Sequence, residues 1–241
     1  MNKYLFLFFV TVVFASCGRT YSKVGSPTFG NNTEQRYEPE LITQSLFSDK
    51  ESTISEADIQ RLLNGKIQLP DTVRIAILNM NSTYSNYNRY AWNNEEEMQT
   101  QRNQFELLKI KLESTGRTKK VFLLPKLMTK ANPTLTQLRE SAVRIQADLL
   151  LIFHIKSDLY YKYKMFKKNE VKAFATCESL LMDIRTGVIP FSDVLTHDVL
   201  KKKEDEDFNN DELRKRAIQE ASKMTLESLG NDLIDFFKNE I

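Results

Sequence analysis

Two cysteines, two histidines, seven glycines and one tryptophan among 241 residues exclude several kinds of chemistry at the outset. Two Cys cannot build a disulfide framework or a four-thiolate metal site. Seven Gly leave few positions for the glycine-rich loops that cradle phosphates. Neither sign of charge predominates: 34 Lys and Arg stand against 32 Asp and Glu, a formal net charge of +2, where a nucleic-acid surface shows as a strongly basic domain or stripe. No nucleic-acid partner is therefore expected. The apolar run Tyr4–Phe14, broken only by Thr11, reaches roughly 16 Å as a helix, about half of a bilayer's hydrocarbon core, and is too short for a stable span. What remains is 41% apolar and 27% charged residues, the composition of an ordinary globular protein.

The first residues are read as an address. Lys3, the apolar run, and the small residues Ala15 and Ser16 follow the order of a secretory signal: positive start, short hydrophobic stretch, small residues before a cut. Cys17 directly after Phe14-Ala15-Ser16 resembles the lipobox of bacterial lipoproteins, although Phe14 stands where Leu is more frequent. The alternative is a secreted protein with a chance cysteine near the cleavage point. The resemblance implies residues 1–16 as a lipoprotein signal peptide and Cys17 as the lipidated first mature residue, whose acyl chains exceed the two signals that stable anchoring takes. Residues 18–40 hold three of the seven Gly and two of the six Pro without a period of 2 or 3.6. The reading for 17–40 is thus the lipidated cysteine and a flexible tether. In lipoproteins of Bacteroidetes-like bacteria, which the chain resembles, an acidic run after the Cys accompanies surface export. Gly18–Ser22 contains no acid, so the implied place is the inner leaflet of the outer membrane, facing the periplasm.

Residues 41–241 read as one α/β domain. Ser55 caps a short helix with Ile59, Leu62 and Leu63 on one face and Gly65 as its stop. Val73–Leu78 is a nearly continuous apolar run that suits a strand buried on both faces. A helix with Met98, Phe105, Leu108, Ile110 and Leu112 spans Glu95 to about Ser114 and ends at Gly116. Val121–Leu124 is a strand, Thr134 and Gln137 form a capping box for a helix carrying Leu138, Ala142, Val143 and Ile145, and Asp148–Ile155 is a strand again. Beyond it the period changes from 3.6 to 2. Antiparallel hairpins follow through Leu200, with turns at 167–170 and 185–187. After a charged linker, a last helix from about Asn210 to Lys238 carries Leu213, Ala217, Ile218, Ala221, Met224, Leu229, Leu233, Ile234 and Phe237. The expected order is β-α-β-α-β-β-β-α, a mixed sheet with a parallel core and an antiparallel meander.

Three segments carry a family resemblance: Val73–Leu78, Ala147-Asp148 before Leu149–Ile152, and Leu181-Met182-Asp183-Ile184-Arg185-Thr186-Gly187. Together they resemble the periplasmic lipoprotein superfamily of the curli secretion lipoprotein, the penicillin-binding-protein activator lipoproteins and the amino-terminal domain of the Tol system propeller protein. The resemblance spans roughly residues 72–238. It implies a scaffold or regulator of envelope assemblies with no shared catalytic residues, and a hairpin turn made by Asp183 and Thr186-Gly187.

Candidate chemistry is sparse. His154 and His197 lie on expected strands without metal-binding spacing, and the bland reading of each is a half-buried ring with one hydrogen bond. Cys177 suits a small buried hydrophobe better than a nucleophile. The acids 204–207 beside Lys201–Lys203 read as a solvated linker. No metal and no cofactor is expected. The segment Tyr84, Tyr87, Arg89, Tyr90 and Trp92, set among Asn and Ser, has the composition of binding hot spots, and follows the carboxyl end of the first parallel strand, where α/β sheets place ligands. Its alternative is a loop folded over the sheet. Lys156, Lys162, Lys164, Lys167 and Lys168 with Tyr160 and Phe166 could meet an anionic surface or guard an edge strand. The functional expectation is a non-catalytic interaction or assembly module that binds an envelope protein partner. The alternatives are a ring-forming secretion channel subunit, which needs unbroken lipid-facing apolar rows, and a hydrolase using either histidine.

Overall fold

The run Val73–Leu78 forms an inner strand of the main sheet, its alternate side chains entering an apolar layer on each side. In this computed structural model, which describes residues 41–42, 54–80, 94–129, 133–162, 170–204 and 209–239, Val73, Ile75, Ala76, Ile77 and Leu78 are all buried. All described residues fall within one compact unit, Pro39–Ile241. In chain order the elements are β1 (Leu41–Ile42), α1 (Glu56–Asn64), β2 (Lys66–Ile67), β3 (Val73–Asn79), α2 (Asn94–Glu113), β4 (Thr118–Leu123), α3 (Leu135–Arg144), β5 (Leu149–Lys162), β6 (Glu170–Asp183), β7 (Phe191–Lys202) and α4 (Asn210–Asn239), with a 3-10 turn at Lys126–Met128.

The main sheet has the order β4-β3-β5-β6-β7. Strand β3 pairs in parallel with β4 on one side and β5 on the other, while β5, β6 and β7 form the antiparallel meander. The expected element order and sheet type are those observed. One element pair lay outside the expectation: β1 and β2, two residues each, form a separate parallel pair, too short to leave a periodic signal.

The chain moves from β3 outward to β4 and then back across β3 to β5, so right-handed crossovers place their helices on opposite faces. One core joins Val73, Ile75, Ile77, Leu149, Leu151 and Phe153 to Leu108 and Leu112 of α2 and to Leu229 and Leu233 of α4. The second joins Ala76, Leu78, Leu150, Ile152 and Met182 to Leu138 and Ala142 of α3. Among the described residues the distal meander is covered on the α4 face only; its outer face carries Lys156, Asp158, Tyr160, Lys172, Glu178 and Asp198.

Local signals behave as their chemistry requires. Ser55 Oγ accepts from the Asp58 N–H at 3.2 Å, and both bonds of the Thr134–Gln137 capping box are present. Gly116 ends the α2 connection at φ +71°. The expected turn at 183–187 is also formed. Asp183 accepts from the Arg185 and Thr186 amides and, at 2.5 Å, from the Thr186 hydroxyl, while Gly187 has φ +77°. Arg139 of α3 fixes this turn by donating to the carbonyls of Ile184 at 2.6 Å and Arg185 at 2.7 Å.

Helix phase needs correction at five positions. Leu63 is 74% exposed, Ile110 is 64% exposed, and Met98, Val143 and Met224 are also exposed. Helix α1 buries no residue, and α2, α3 and α4 bury a narrower stripe than their apolar residues mark out. In α4 the buried row instead takes in Ser222, Thr225, Leu226 and Gly230. Thr225 is tolerated there because its hydroxyl lies 2.8 Å from the Ala221 carbonyl and 3.1 Å from that of Ala175.

At the amino ends of the parallel strands, Asp148 grips Arg74 through two 2.9 Å guanidinium contacts and also accepts the Arg74 backbone N–H at 2.9 Å. These bonds hold its carboxyl below the usual carboxylate range against the opposing effect of burial. A depressed carboxyl contributes stability above its unfolded value near 4 and loses it as pH falls through the lower folded value. Asp148→Asn is therefore expected to be less stable than the parent at pH 7 in urea titrations. The difference shrinks below about pH 4.

Candidate functional site

Strands β3 and β4 send their connections to opposite faces, and the crevice beyond their carboxyl ends is where open α/β sheets hold ligands. It contains a cavity of about 210 Å³ between Leu78 and Asn79 of β3, Leu123 of β4 and Leu124 just beyond it, and Arg102 and Phe105 of α2. The opposite flank of α2 borders a larger cavity of about 590 Å³, within the range of roughly 300–1,000 Å³ typical of ligand clefts. Between the two, Asn79 Nδ2 donates to Gln104 Oε1 at 2.7 Å and fixes the first half of α2 to the end of β3.

The larger cavity arises from the way α2 and α4 run. Both follow an up-running strand and descend in parallel, and their later halves touch. Gly230 lies so near α2 that a Cβ there would fall 2.8 Å from Lys111 Cγ, and Lys111 Nζ donates to Asn231 Oδ1 at 2.7 Å. Their earlier halves leave a wedge with β5 as its floor. Each helix lines it at the spacing i, i+1, i+4, i+5, i+8: Gln99, Thr100, Asn103, Gln104 and Leu107 on α2, and Ile218, Gln219, Ser222, Lys223 and Leu226 on α4. Leu107 and Leu226 mark the narrow end, and Ile155 and Ser157 come from β5. The lining combines an aliphatic floor with primary amides and hydroxyls. Among the described residues Lys223 is its one charged residue, and it lies 3.8 Å from Glu227.

The expected partner-binding residues Tyr84, Tyr87, Arg89, Tyr90 and Trp92 lie outside the described residues, as does Cys17. The described chain stops at Met80 and resumes at Asn94, and the pocket-lining residues Asn79 and Met98 stand near those two points. Of the lysine cluster, Lys156 and Tyr160 are exposed on the outer sheet face; residues 163–169 are outside the description. Sequence reasoning missed the cavity beside α2. Its polar residues carry no local signal, and only the splay of α2 from α4 brings them around one cavity.

The histidines do not converge. His154 lies on the outer face opposite Glu178, whereas His197 faces α4. His197 Nε2 is 3.1 Å from Ser228 Oγ, and its buried Nδ1 has no hydrogen-bond partner among the described residues. Nearby, Asp232 is pushed above the carboxylate range by burial and then by Asp193, with His197 acting the other way. Among the described residues no group of three or more His, Cys, Asp and Glu side chains could hold a metal ion.

No family model matches the chain, and none of the curated proteins matches it. Solved structures show distant likeness. A hypothetical protein from Chlamydia trachomatis is 12% identical with a TM-score of 0.37, covering 70% of this chain and 97% of its own. A minor lipoprotein from Acinetobacter baumannii is 10% identical with a TM-score of 0.34 over 70% and 92%. The PelC dodecamer from Paraburkholderia phytofirmans is 15% identical with a TM-score of 0.32 over 67% and 91%. The chain is thus distantly similar in structure to bacterial lipoproteins among others.

Cys177 is buried against α4, and burial first, then the charges of Asp193 and Glu178, push its thiol up to about 12. A thiol so placed carries negligible thiolate at neutral pH. It should react with an aromatic disulfide reagent only after denaturation, and Cys177→Ala should leave function intact. Rapid labelling of the native chain at Cys177 would contradict this assignment.

Proposed function

We propose that the chain is a lipid-anchored lipoprotein of the bacterial cell envelope that acts as a non-catalytic interaction or assembly module facing the periplasm. The observation that carries the interaction reading is the crevice at the carboxyl edge of the sheet, where two cavities flank the first half of α2. The anchoring reading rests on Lys3, the run Tyr4–Phe14 and Ala15-Ser16-Cys17. The partner is an envelope protein, engaged through Tyr84, Tyr87, Arg89, Tyr90 and Trp92 and through the crevice.

The two other readings have less support. A membrane-spanning ring needs strands with unbroken lipid-facing apolar rows, and the outer face of β5–β7 alternates Lys156, Asp158, Lys172, Glu178 and Asp198 with its apolar residues. For a hydrolase built on His197, the ring's Nδ1 has no hydrogen-bond partner among the described residues.

Two tests separate anchoring from binding. Cys17→Ser is expected to move the protein from the membrane pellet to the soluble envelope fraction; unchanged fractionation defeats the anchor. Tyr90→Ala with Trp92→Ala should abolish crosslinked partner recovery from intact cells while leaving the circular dichroism spectrum and melting temperature unchanged. Undiminished recovery removes this segment from the binding surface.

A further inference from the structure

The amino ends of the parallel strands hold more positive charge than their ion pairs neutralise. On the face covered by α3, the register sets Lys120 of β4 beside Arg74 of β3, and Arg74 beside Asp148 at the foot of β5. Arg185, in the turn after β6, reaches the same Asp148 carboxylate at 3.9 Å, so one carboxylate serves two guanidiniums. That carboxylate is set inward: the Asp148 side chain is 12% exposed, against 69% for Arg185.

Two further cations flank this pair. Lys120 is exposed, and its Nζ lies 4.7 Å from the centre of the Phe122 ring, an attraction that leaves the charge uncancelled. Arg144, the last residue of α3, is also exposed, with Glu140 at 3.8 Å. An exposed pair at that distance is held weakly and opens readily to a competing anion. Among the described residues, the carboxylates that contact Arg74, Lys120, Arg144 and Arg185 are Asp148 and Glu140.

The layout favours one class of anion. From β4 across β3 and β5 to the end of β6 there are three strand spacings, roughly 14 Å in all. The cations are thus spread along a row rather than gathered about a point, an arrangement that meets a plane of repeated anions better than a single phosphate. Phosphate-bearing lipid headgroups form such a plane, and each Lys or Arg near an anionic leaflet adds to the attraction.

We propose that the row of Lys120, Arg74, Arg185 and Arg144 meets the headgroups of an anionic lipid surface and turns the α3 side of the domain to the bilayer, with α2 and α4 on the side away from it. This assignment rests on reading the chain as lipid-anchored and adds which face the anchored domain shows to its membrane.

The test uses the full chain purified from membranes into nanodiscs that carry a nitroxide-headgroup lipid, with backbone amide signals read by NMR. In discs containing phosphatidylglycerol, the amides of Lys120, Arg144 and Arg185 should broaden more than those of Lys223 and Met224 on α4. In neutral phosphatidylcholine discs the two sets should broaden alike. Lys120→Gln and Arg185→Gln should each reduce the excess by up to about fivefold, the effect of one cation at an anionic surface, and Lys120→Arg should retain it. Both positions are exposed, so the melting temperature should not change. NaCl at about 1 M, where the screening length falls to about 3 Å, should remove the excess. Broadening that is the same in both lipids, that ignores both Gln substitutions, or that favours Lys223 and Met224 overturns the proposal. Inorganic phosphate added to neutral discs separates the two sources of anion: shifts at Lys120 and Arg185 there, without a response to phosphatidylglycerol, overturn it in favour of a small anion. No response to phosphatidylglycerol in a chain that Cys17→Ser releases from the membrane pellet removes this orientation and leaves the anchor. An orientation that persists although Cys17→Ser fractionates like the parent supports the cationic row and removes the acyl anchor.

Discussion

Everything in this fold depends on β3 being buried on both faces. A strand that hides Val73, Ile75 and Ile77 on one side and Ala76 and Leu78 on the other needs two covering layers and a strand on each edge. The chain meets that demand by crossing to β4, back to β5, and placing α2 and α3 on opposite faces. Asp148 and Arg74 lock the lower ends of the same strands together. Once the middle is set in this way, the upper ends of β3 and β4 must open into a crevice, because their continuations leave toward different layers.

The meander and α4 then determine what kind of site the crevice becomes. Helix α4 has to cover β6 and β7, whereas α2 covers β3 and β4, so the two helices share only part of their length. Gly230 and Lys111 bring their lower halves together, and the upper halves remain apart over Ile155 and Ser157. The outcome is a wedge with an aliphatic floor and amide walls beside the chain entry to α2. Among the described residues elsewhere, the Cys177 thiol is buried and the Asp148 carboxylate is engaged with Arg74.

Much of this was legible in the sequence where a signal was local. The doubly apolar run of β3, the Thr134–Gln137 capping box, the Asp183–Gly187 turn and the long final helix are each specified by residues within a few positions of one another. Helix facing was less legible. A period of 3.6 marks a broad apolar stripe, but which part of it is covered depends on the width of the neighbouring layer, so Leu63, Ile110 and Met224 end in solvent. The wedge was hidden for the same reason. Gln99, Asn103, Gln219 and Ser222 are ordinary polar helix residues until two helices 120 positions apart converge at one end and part at the other. By contrast, the segment Tyr84–Trp92 and Cys17 stand out by composition and spacing alone, and they lie outside the described residues.

If the carboxyl-edge wedge between α2 and α4 meets a protein partner in the cell, as proposed, a residue on its rim lies beside that partner. A photo-crosslinking amino acid placed at Gln219, on the rim of the wedge, and in a second strain at Leu63 on α1, tests it directly when both are irradiated in intact cells. One discrete crosslinked protein is expected from position 219 and none from position 63. The same product from both positions, or a product from position 63 alone, would contradict it.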